Sequence, residues 1–280
     1  MLFACEPPVD EIGKNDHAAA RRIRRVYPNF LIEKEGKRSL ALFAITDGGL
    51  TNGLCNTGIS VYPAGMRVIL IRHYQTQSNA EGRILGWGNS PPARDWKTNV
   101  DFIDTHLHEN GINFDAIYSS DLERARQTAK ILAGSFGIPD VISIPELNEI
   151  NYGKLQTKKK SWVAGHCPRH KKDPDLVYPD GESFRQMQQR SVRFVSSLAL
   201  ANPQNTILIV SHAGVIRGIV SHFLGLEYAS SLKHSISFRY IGDFLFNGNS
   251  CVRYDEFGKP SGFVHDGVIE IPLARPGSNS

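Results

Sequence analysis

The 280-residue sequence has no apolar run approaching the roughly 18 residues that a membrane span requires. Met1–Asp10 carries acidic residues and two prolines and lacks a basic start followed by an apolar core. No secretory leader is therefore expected, and the expected location is cytoplasmic. Cysteine is scarce: Cys5, Cys55, Cys167 and Cys251 lie far apart and show no zinc-finger spacing, so reduced, structural thiols are expected. His166–Cys167 and His170 form one local cluster without a visible fourth ligand, and neither a metal nor a cofactor is expected. A strong charge of one sign is also missing. Thirty-two basic against 28 acidic residues give +4, too mild and too dispersed to point to nucleic acid. Gly48 and Gly53 have the spacing of a phosphate loop, but Leu54–Cys55 follow where Lys–Ser/Thr is needed. There is no internal repeat. What is present, 41% hydrophobic and 21% charged residues, suits a full-sized core in one large domain, with or without an appendage.

Residues 1–65 read differently from the rest. Asp16–His17 can cap a short basic helix over 18–27, and its arginines Arg21, Arg22, Arg24 and Arg25 read as a solvated face. Phe30–Ile32, a Glu35–Gly36–Lys37 turn and Leu40–Ile45 read as a hairpin. Residues 47–65, rich in Gly, Asn and Thr, read as a linker or long loop. From Met66 a β–α alternation begins. Strands are expected at 68–71, 114–118, 141–144 and 206–210, and helices at 95–109, 122–136, 183–201 and 215–224. Ser119–Ser120–Asp121 offer caps for the helix at 122. The stretch 151–181 reads as irregular, and late, antiparallel strands are expected at 236–246 and 250–254. The pattern is α/β, with helices covering a largely parallel sheet. Its expected limits are 66–256, followed by a C-terminal extension at 257–280 whose last residues, 275–280, read as disordered.

In such sheets ligands bind at the carboxyl ends of the strands. Val68–Ile71 runs straight into Arg72–His73, a basic pair that needs an anionic partner if buried. Arg124 follows the second strand, Glu149 the third, and His212 the strand at 206–210. Any one of these residues has a bland explanation. Two arginines, two histidines and a carboxylate converging on one sheet edge do not. Arginine forks grip a phosphoryl group, and a neutral imidazole can attack phosphorus. A second histidine can stabilise the transition state, and a carboxyl group can protonate a leaving oxygen.

At these residues the sequence resembles the histidine phosphatase superfamily, also called phosphoglycerate mutase-like. The resemblance is carried by Leu70–Ile71–Arg72–His73 with Thr76 and Asn79, by Gly82–Gly86, by Ile117–Ala129, by Leu147–Gly153, by Asp180–Phe184 and by Val210–Arg217. It implies a three-layer α/β/α sandwich with a mostly parallel central sheet and a cap segment at about 151–181, to which residues 1–65 add a small N-terminal α/β appendage by their own pattern. It further implies that His73 is a phosphorylated nucleophile, that Arg72, Arg124 and His212 hold the phosphoryl group with Asn79 at its rim, and that Glu149 is the proton donor. Glu182, in the Gly-Glu-Ser motif of the phosphatase branches, is expected to cap the helix that follows.

Two features depart from the family pattern. Tyr74 stands where Gly or Ala is usual, and its ring either packs into the sheet edge or lines the pocket and narrows substrate choice. Trp87 sits in the substrate-facing loop. The cap carries Lys158–Lys160 and Arg169–Lys172, either a solvated loop or a docking point for a second negative charge on the substrate. The expected activity is metal-independent hydrolysis of a phosphorylated small molecule or phosphoprotein, with no nucleic-acid or membrane partner. A mutase that returns the phosphoryl group to the bound sugar acid is one alternative. A catalytically weak phospho-ligand-binding protein is another, and homodimerisation is one role open to residues 1–65.

Overall fold

The computed structural model describes residues 65–257 in full and, outside that span, seven short strands. The chain divides into two compact units, 1–64 and 65–280. In the first, β1 (Phe30–Lys34) pairs antiparallel with β2 (Lys37–Arg38) and, along its other edge, with β5 (Ser60–Pro63). β3 (Ile45–Thr46) pairs with β4 (Gly49–Leu50). Ile45, expected in the strand returning beside Phe30–Ile32, thus pairs with Leu50 instead. β5 falls inside the stretch expected to be linker, because a four-residue strand ending in proline is too short to stand out from its Gly-rich surroundings. The helix expected over 18–27 lies outside the described residues.

The second unit is built on an eight-stranded sheet in the order β13-β12-β11-β10-β6-β9-β7-β8. β6 (Met66–Arg72), β7 (Ala116–Ser119), β8 (Val141–Ser143) and β9 (Thr206–Ser211) are mutually parallel. β10 (Ile241–Asn247) runs antiparallel to β6, and β11 (Ser250–Glu256) continues the meander. The parallel character expected of the sheet therefore holds on the half that carries the site. β12 (Gly262–His265) and β13 (Val268–Glu270) prolong the sheet beyond residue 256, where a separate extension was expected.

Strand periodicity divides the core into two layers. Met66, Val68 and Leu70 of β6 and Ile207 and Ile209 of β9 face one side, where they meet α5 (Phe184–Ala201) and α6 (Ala213–Phe223). Ile69, Ile71, Leu208 and Val210 face the other, against α2 (Trp96–Glu109) and α3 (Glu123–Ser135). This is the α/β/α sandwich, and it explains why these strands read as unbroken apolar runs: both faces are covered. Each such Ile, Leu or Val contributes roughly 1.5–3 kcal/mol of apolar burial.

Two helices begin at side-chain caps. Ser183 caps α5 in a capping box with Gln186. α1 (Gln77–Ala80) has the same device in Thr76 and Asn79. α3 starts without a side-chain cap after Leu122, so the caps expected of Ser119–Asp121 are not formed. Ser120 has a different partner, described below. The stretch 151–181, expected to be irregular, contains α4 (Lys160–His166) and two single-turn 3-10 segments, Gly153–Leu155 and Pro168–Lys171. Only Val163 of α4 is buried, so the helix lacks the apolar stripe by which helices are recognised. It is held by a small satellite core of Ile84, Leu155 and Val163. A last short helix, α7, spans Tyr228–Ser231.

Candidate active site

Sheet register assembles the site. β6 and β9 pair in parallel so that Arg72 lies opposite Ser211, and the next residue, His73, donates its backbone N–H to the Ser211 carbonyl at 2.9 Å. β7 pairs Ser119 with Val210, and the Ser120 N–H reaches the Val210 carbonyl at 3.1 Å. Three strand ends, at 72–73, 119–120 and 211–212, thus sit side by side.

The His73 ring is buried and fixed at both nitrogens. Nδ1 lies 2.5 Å from the Tyr74 carbonyl, which can only accept, so Nδ1 carries the proton. Nε2 lies 3.3 Å from Arg124 Nε, which can only donate, so Nε2 presents a lone pair. Burial first, then the charges of Arg124 and Arg72, push the His73 pKa well down from the ordinary 6.5. The imidazole is neutral and held in a single orientation.

Arg124 comes from the first turn of α3 and is itself buried. Its two amino groups donate to the Gly86 carbonyl at 2.7 Å and the Gly88 carbonyl at 3.1 Å. Gly86 can offer its carbonyl this way because it adopts a left-handed conformation, φ +56°. Arg72 donates to the Ile236 carbonyl at 2.6 Å, and its guanidinium lies 3.7 Å over the Phe238 ring. Burial holds both arginines at about 10, still charged at neutral pH. Ile236 had been expected to open a strand. The strand begins at Ile241, and the freed loop supplies the acceptor and ring that seat Arg72.

His212 is fully buried, its ring centroid 4.9 Å from that of His73. Its Nε2 is 2.6 Å from Ser120 Oγ, while Nδ1 is buried without a partner among the described residues. Arg72 Nε is likewise buried and unpartnered. Two unsatisfied polar atoms in one buried site are unusual and call for an anion. Burial and Arg124 depress the His212 pKa well below 6.5. Glu149 is held by backbone: Oε1 accepts the Ile150 N–H at 3.0 Å and Oε2 the Gly214 N–H at 3.3 Å. A Cβ at position 214 would lie 2.2 Å from Glu149 Oε1, so glycine is required there for the carboxylate to keep its place.

Other expected residues stand in different places. Asn79 Oδ1 is engaged by the Thr76 N–H and hydroxyl, as part of the α1 capping box. The Tyr74 ring is only 2% exposed and packs on Trp96 at 4.8 Å, with its hydroxyl donating to Gln127 Oε1 at 2.6 Å. The ring thus packs into the sheet edge, while Tyr74 also lines, with Arg124, a cavity of about 350 Å³. Trp87 is 45% exposed and donates its indole N–H to the Glu149 carbonyl at 2.6 Å, beside a cleft of about 590 Å³. Glu182 does not cap α5; Ser183 does. Glu182 instead accepts from Arg190 at 2.6 and 3.1 Å, and Arg190 in turn donates to the Glu146 and Glu149 carbonyls. Gly214, Phe238 and Arg190 carry the site without having been singled out in the sequence, whereas Ser120 had been read as a helix cap. Ser120 and Gly214 stood inside the motifs, whereas Phe238 and Arg190 had no local signal. Among the described residues no group of three or more His, Cys, Asp or Glu is placed to hold a metal ion. His166 stacks on Trp162 and His170 on Tyr178.

The comparisons agree with this geometry. Residues 68–241 match the model of the histidine phosphatase superfamily, branch 1. The adenosylcobalamin/alpha-ribazole phosphatase of Escherichia coli K12 is 32% identical over 174 residues, 60% of this chain and 84% of its own. A probable phosphoglycerate mutase (GpmB) of Escherichia fergusonii is 34% identical over 167 residues, 58% of this chain and 76% of its own. Among solved structures, phosphoserine phosphatase from Entamoeba histolytica superposes with a TM-score of 0.60 at 25% identity. It covers 67% of this chain and 94% of its own, and it has been solved with 3-phosphoglyceric acid and, as a mutant, with phosphoserine. The chain belongs to branch 1 of the histidine phosphatase superfamily and is a phosphatase of that superfamily.

Proposed function

We propose that the protein hydrolyses phosphomonoesters without a metal, through a phosphohistidine at His73. The observation that carries this reading is the fixed tautomer of His73, with Nδ1–H tied to a carbonyl and the Nε2 lone pair beside Arg124. In the first step Nε2 attacks phosphorus and the ester P–O bond breaks. Protonated Glu149 gives its proton to the departing oxygen. In the second, Glu149 as carboxylate takes a proton from water, the water oxygen bonds to phosphorus, and the P–N bond breaks to restore the imidazole. Arg72, Arg124 and His212 meet the charge on the equatorial oxygens. With Ser120 donating to His212 Nε2, the His212 proton sits on Nδ1 and can be given to a phosphoryl oxygen. Acid-labile phosphate should be trapped on His73, and His73→Ala should lose turnover of p-nitrophenyl phosphate. Full activity in that variant would rule the mechanism out.

For substrate we infer a small cytoplasmic phosphate ester with a second negative charge. The three cap lysines support this unequally. Lys158 lies over the Trp162 ring at 5.4 Å, and Lys159 donates to the Glu81 carbonyl at 2.8 Å. Lys160 hydrogen-bonds to nothing through its amine among the described residues. Although the residue as a whole is exposed, burial of its ammonium and the nearby Arg72 lower its pKa, with Glu149 opposing and Arg217 adding to the effect. Phosphoserine and 3-phosphoglyceric acid, bound by the Entamoeba enzyme, each join a phosphate to a carboxylate. Lys160→Ala should raise KM for such esters more than for p-nitrophenyl phosphate, and equal changes would dismiss the second-charge reading. The mutase alternative is kept alive by the resemblance to the GpmB protein. Interconversion of phosphoglycerates in place of phosphate release would favour it.

A further inference from the structure

The residue after the nucleophile is a tyrosine whose side chain is engaged at every point. Its hydroxyl donates to Gln127 Oε1 at 2.6 Å, and Gln127 Nε2 donates onward to Glu123 Oε1 at 2.8 Å. Its backbone N–H donates to Thr128 Oγ1 at 3.0 Å, and the Thr128 hydroxyl donates to the Arg124 carbonyl at 2.7 Å. Its ring packs on Trp96, at the start of α2, and joins a core layer with Ala125 and Ala129 of α3. Its hydrogen bonds from hydroxyl and backbone N–H both end on α3, the helix that carries Arg124, while its ring also meets the His73 ring edge-on at 6.4 Å. The Tyr74 carbonyl meanwhile accepts the His73 Nδ1 proton. One residue therefore touches the imidazole on one side and grips the arginine's helix on the other.

We propose that the Tyr74 side chain is a positioning residue that sets the separation of His73 Nε2 and the Arg124 guanidinium, through its hydrogen bond to Gln127. A glycine at this position could keep the carbonyl contact to His73, but it would leave α3 free of the hydroxyl and ring ties. The phenol thus adds a side-chain link between the group that attacks phosphorus and the group beside it. The tie sits at the wall of a cavity of about 350 Å³ lined by Pro91, Pro92, Glu123, Arg124 and Gln127, so its loss does not open the core.

This inference rests on His73 being the nucleophile, and the experiment separates the two claims. Tyr74→Phe keeps the ring on Trp96 and removes the hydroxyl. Gln127→Leu removes the other end of the bond. Single-turnover phosphoryl transfer from p-nitrophenyl phosphate is measured for each, for the double variant and for His73→Ala. The rate per active site should fall about tenfold in each single variant, with KM within about twofold, because a sub-ångström misplacement of reacting groups slows the step without weakening binding. The double variant should be no slower than either single one, since both break one link. A purely structural role would lower the number of active sites and leave the rate per site unchanged. That result, or losses that multiply in the double variant, overturns the positioning role. Should His73→Ala retain its turnover, the nucleophile assignment and the positioning role fall together; a dead His73→Ala with wild-type rates in Tyr74→Phe overturns the positioning role alone.

Discussion

At the scale of single residues, Arg124 spends three of its five N–H donors inside the protein, on His73, Gly86 and Gly88. Arg124→Lys keeps a charge but loses the fork. We expect kcat to fall about 10²–10³-fold with p-nitrophenyl phosphate, the loss typical of one transition-state donor. Glu149→Gln should slow esters of poor leaving groups far more than p-nitrophenyl phosphate, whose alcohol departs without a proton. Equal losses would remove Glu149 from the acid's role. That Arg72, His73 and His212 would meet was legible because each stands at or just past the end of an apolar strand, where charge has no structural use. The direction of the Tyr74 ring was not, since nothing in the residues beside it says whether Gln127 or solvent will receive a hydroxyl. Nor was the employment of Glu182, whose partner Arg190 lies two turns along α5.

At the scale of elements, the second residue of α6 is a glycine that makes room rather than a turn. Gly214→Ala should cost little stability, because alanine favours a helix by about 1 kcal/mol over glycine. It should nevertheless displace Glu149, whose oxygen would lie 2.2 Å from the new methyl group. The expected outcome is an unchanged melting temperature with a Glu149→Gln-like dependence on leaving group. The cap offers a second case. Thr157 is a β-branched residue at φ +69°, where such side chains are strained. It is pinned by its N–H to the Ile84 carbonyl at 2.7 Å and by Arg83 on its own carbonyl at 3.0 Å. Thr157→Gly should raise stability by about 1 kcal/mol, read as a higher denaturant midpoint, because it relieves that strain. The helices and strands of the sandwich were legible from period and punctuation. α4 was not, because a satellite core of three side chains leaves no stripe along seven residues.

At the scale of the whole molecule, the two site histidines make stability depend on pH. Both have pKa values pushed well below 6.5, chiefly by burial and then by Arg124. Below about 6.5 the unfolded chain binds protons that the folded one refuses, so stability rises with pH through that range and is lost as pH falls. Above it the two states hold equal numbers of these protons and the contribution is flat. The melting temperature should drop between pH 7 and pH 5, and the drop should be smaller in His212→Asn. A drop of the same size in that variant would show that other groups cause it.

The parallel register of β6 with β9 and of β9 with β7 also has a kinetic meaning. His73 and Arg124 are 51 residues apart in sequence, and Ser120 and His212 are 92 apart. No local segment holds a working fraction of the site, and joining distant parallel strands is among the slower events in folding. A slip of one residue between β6 and β9 would turn the Arg72–His73 end over relative to Ser211–His212. In refolding from denaturant, helical signal should therefore return ahead of turnover, and activity should reappear only with the last phase, as a direct gauge of strand alignment.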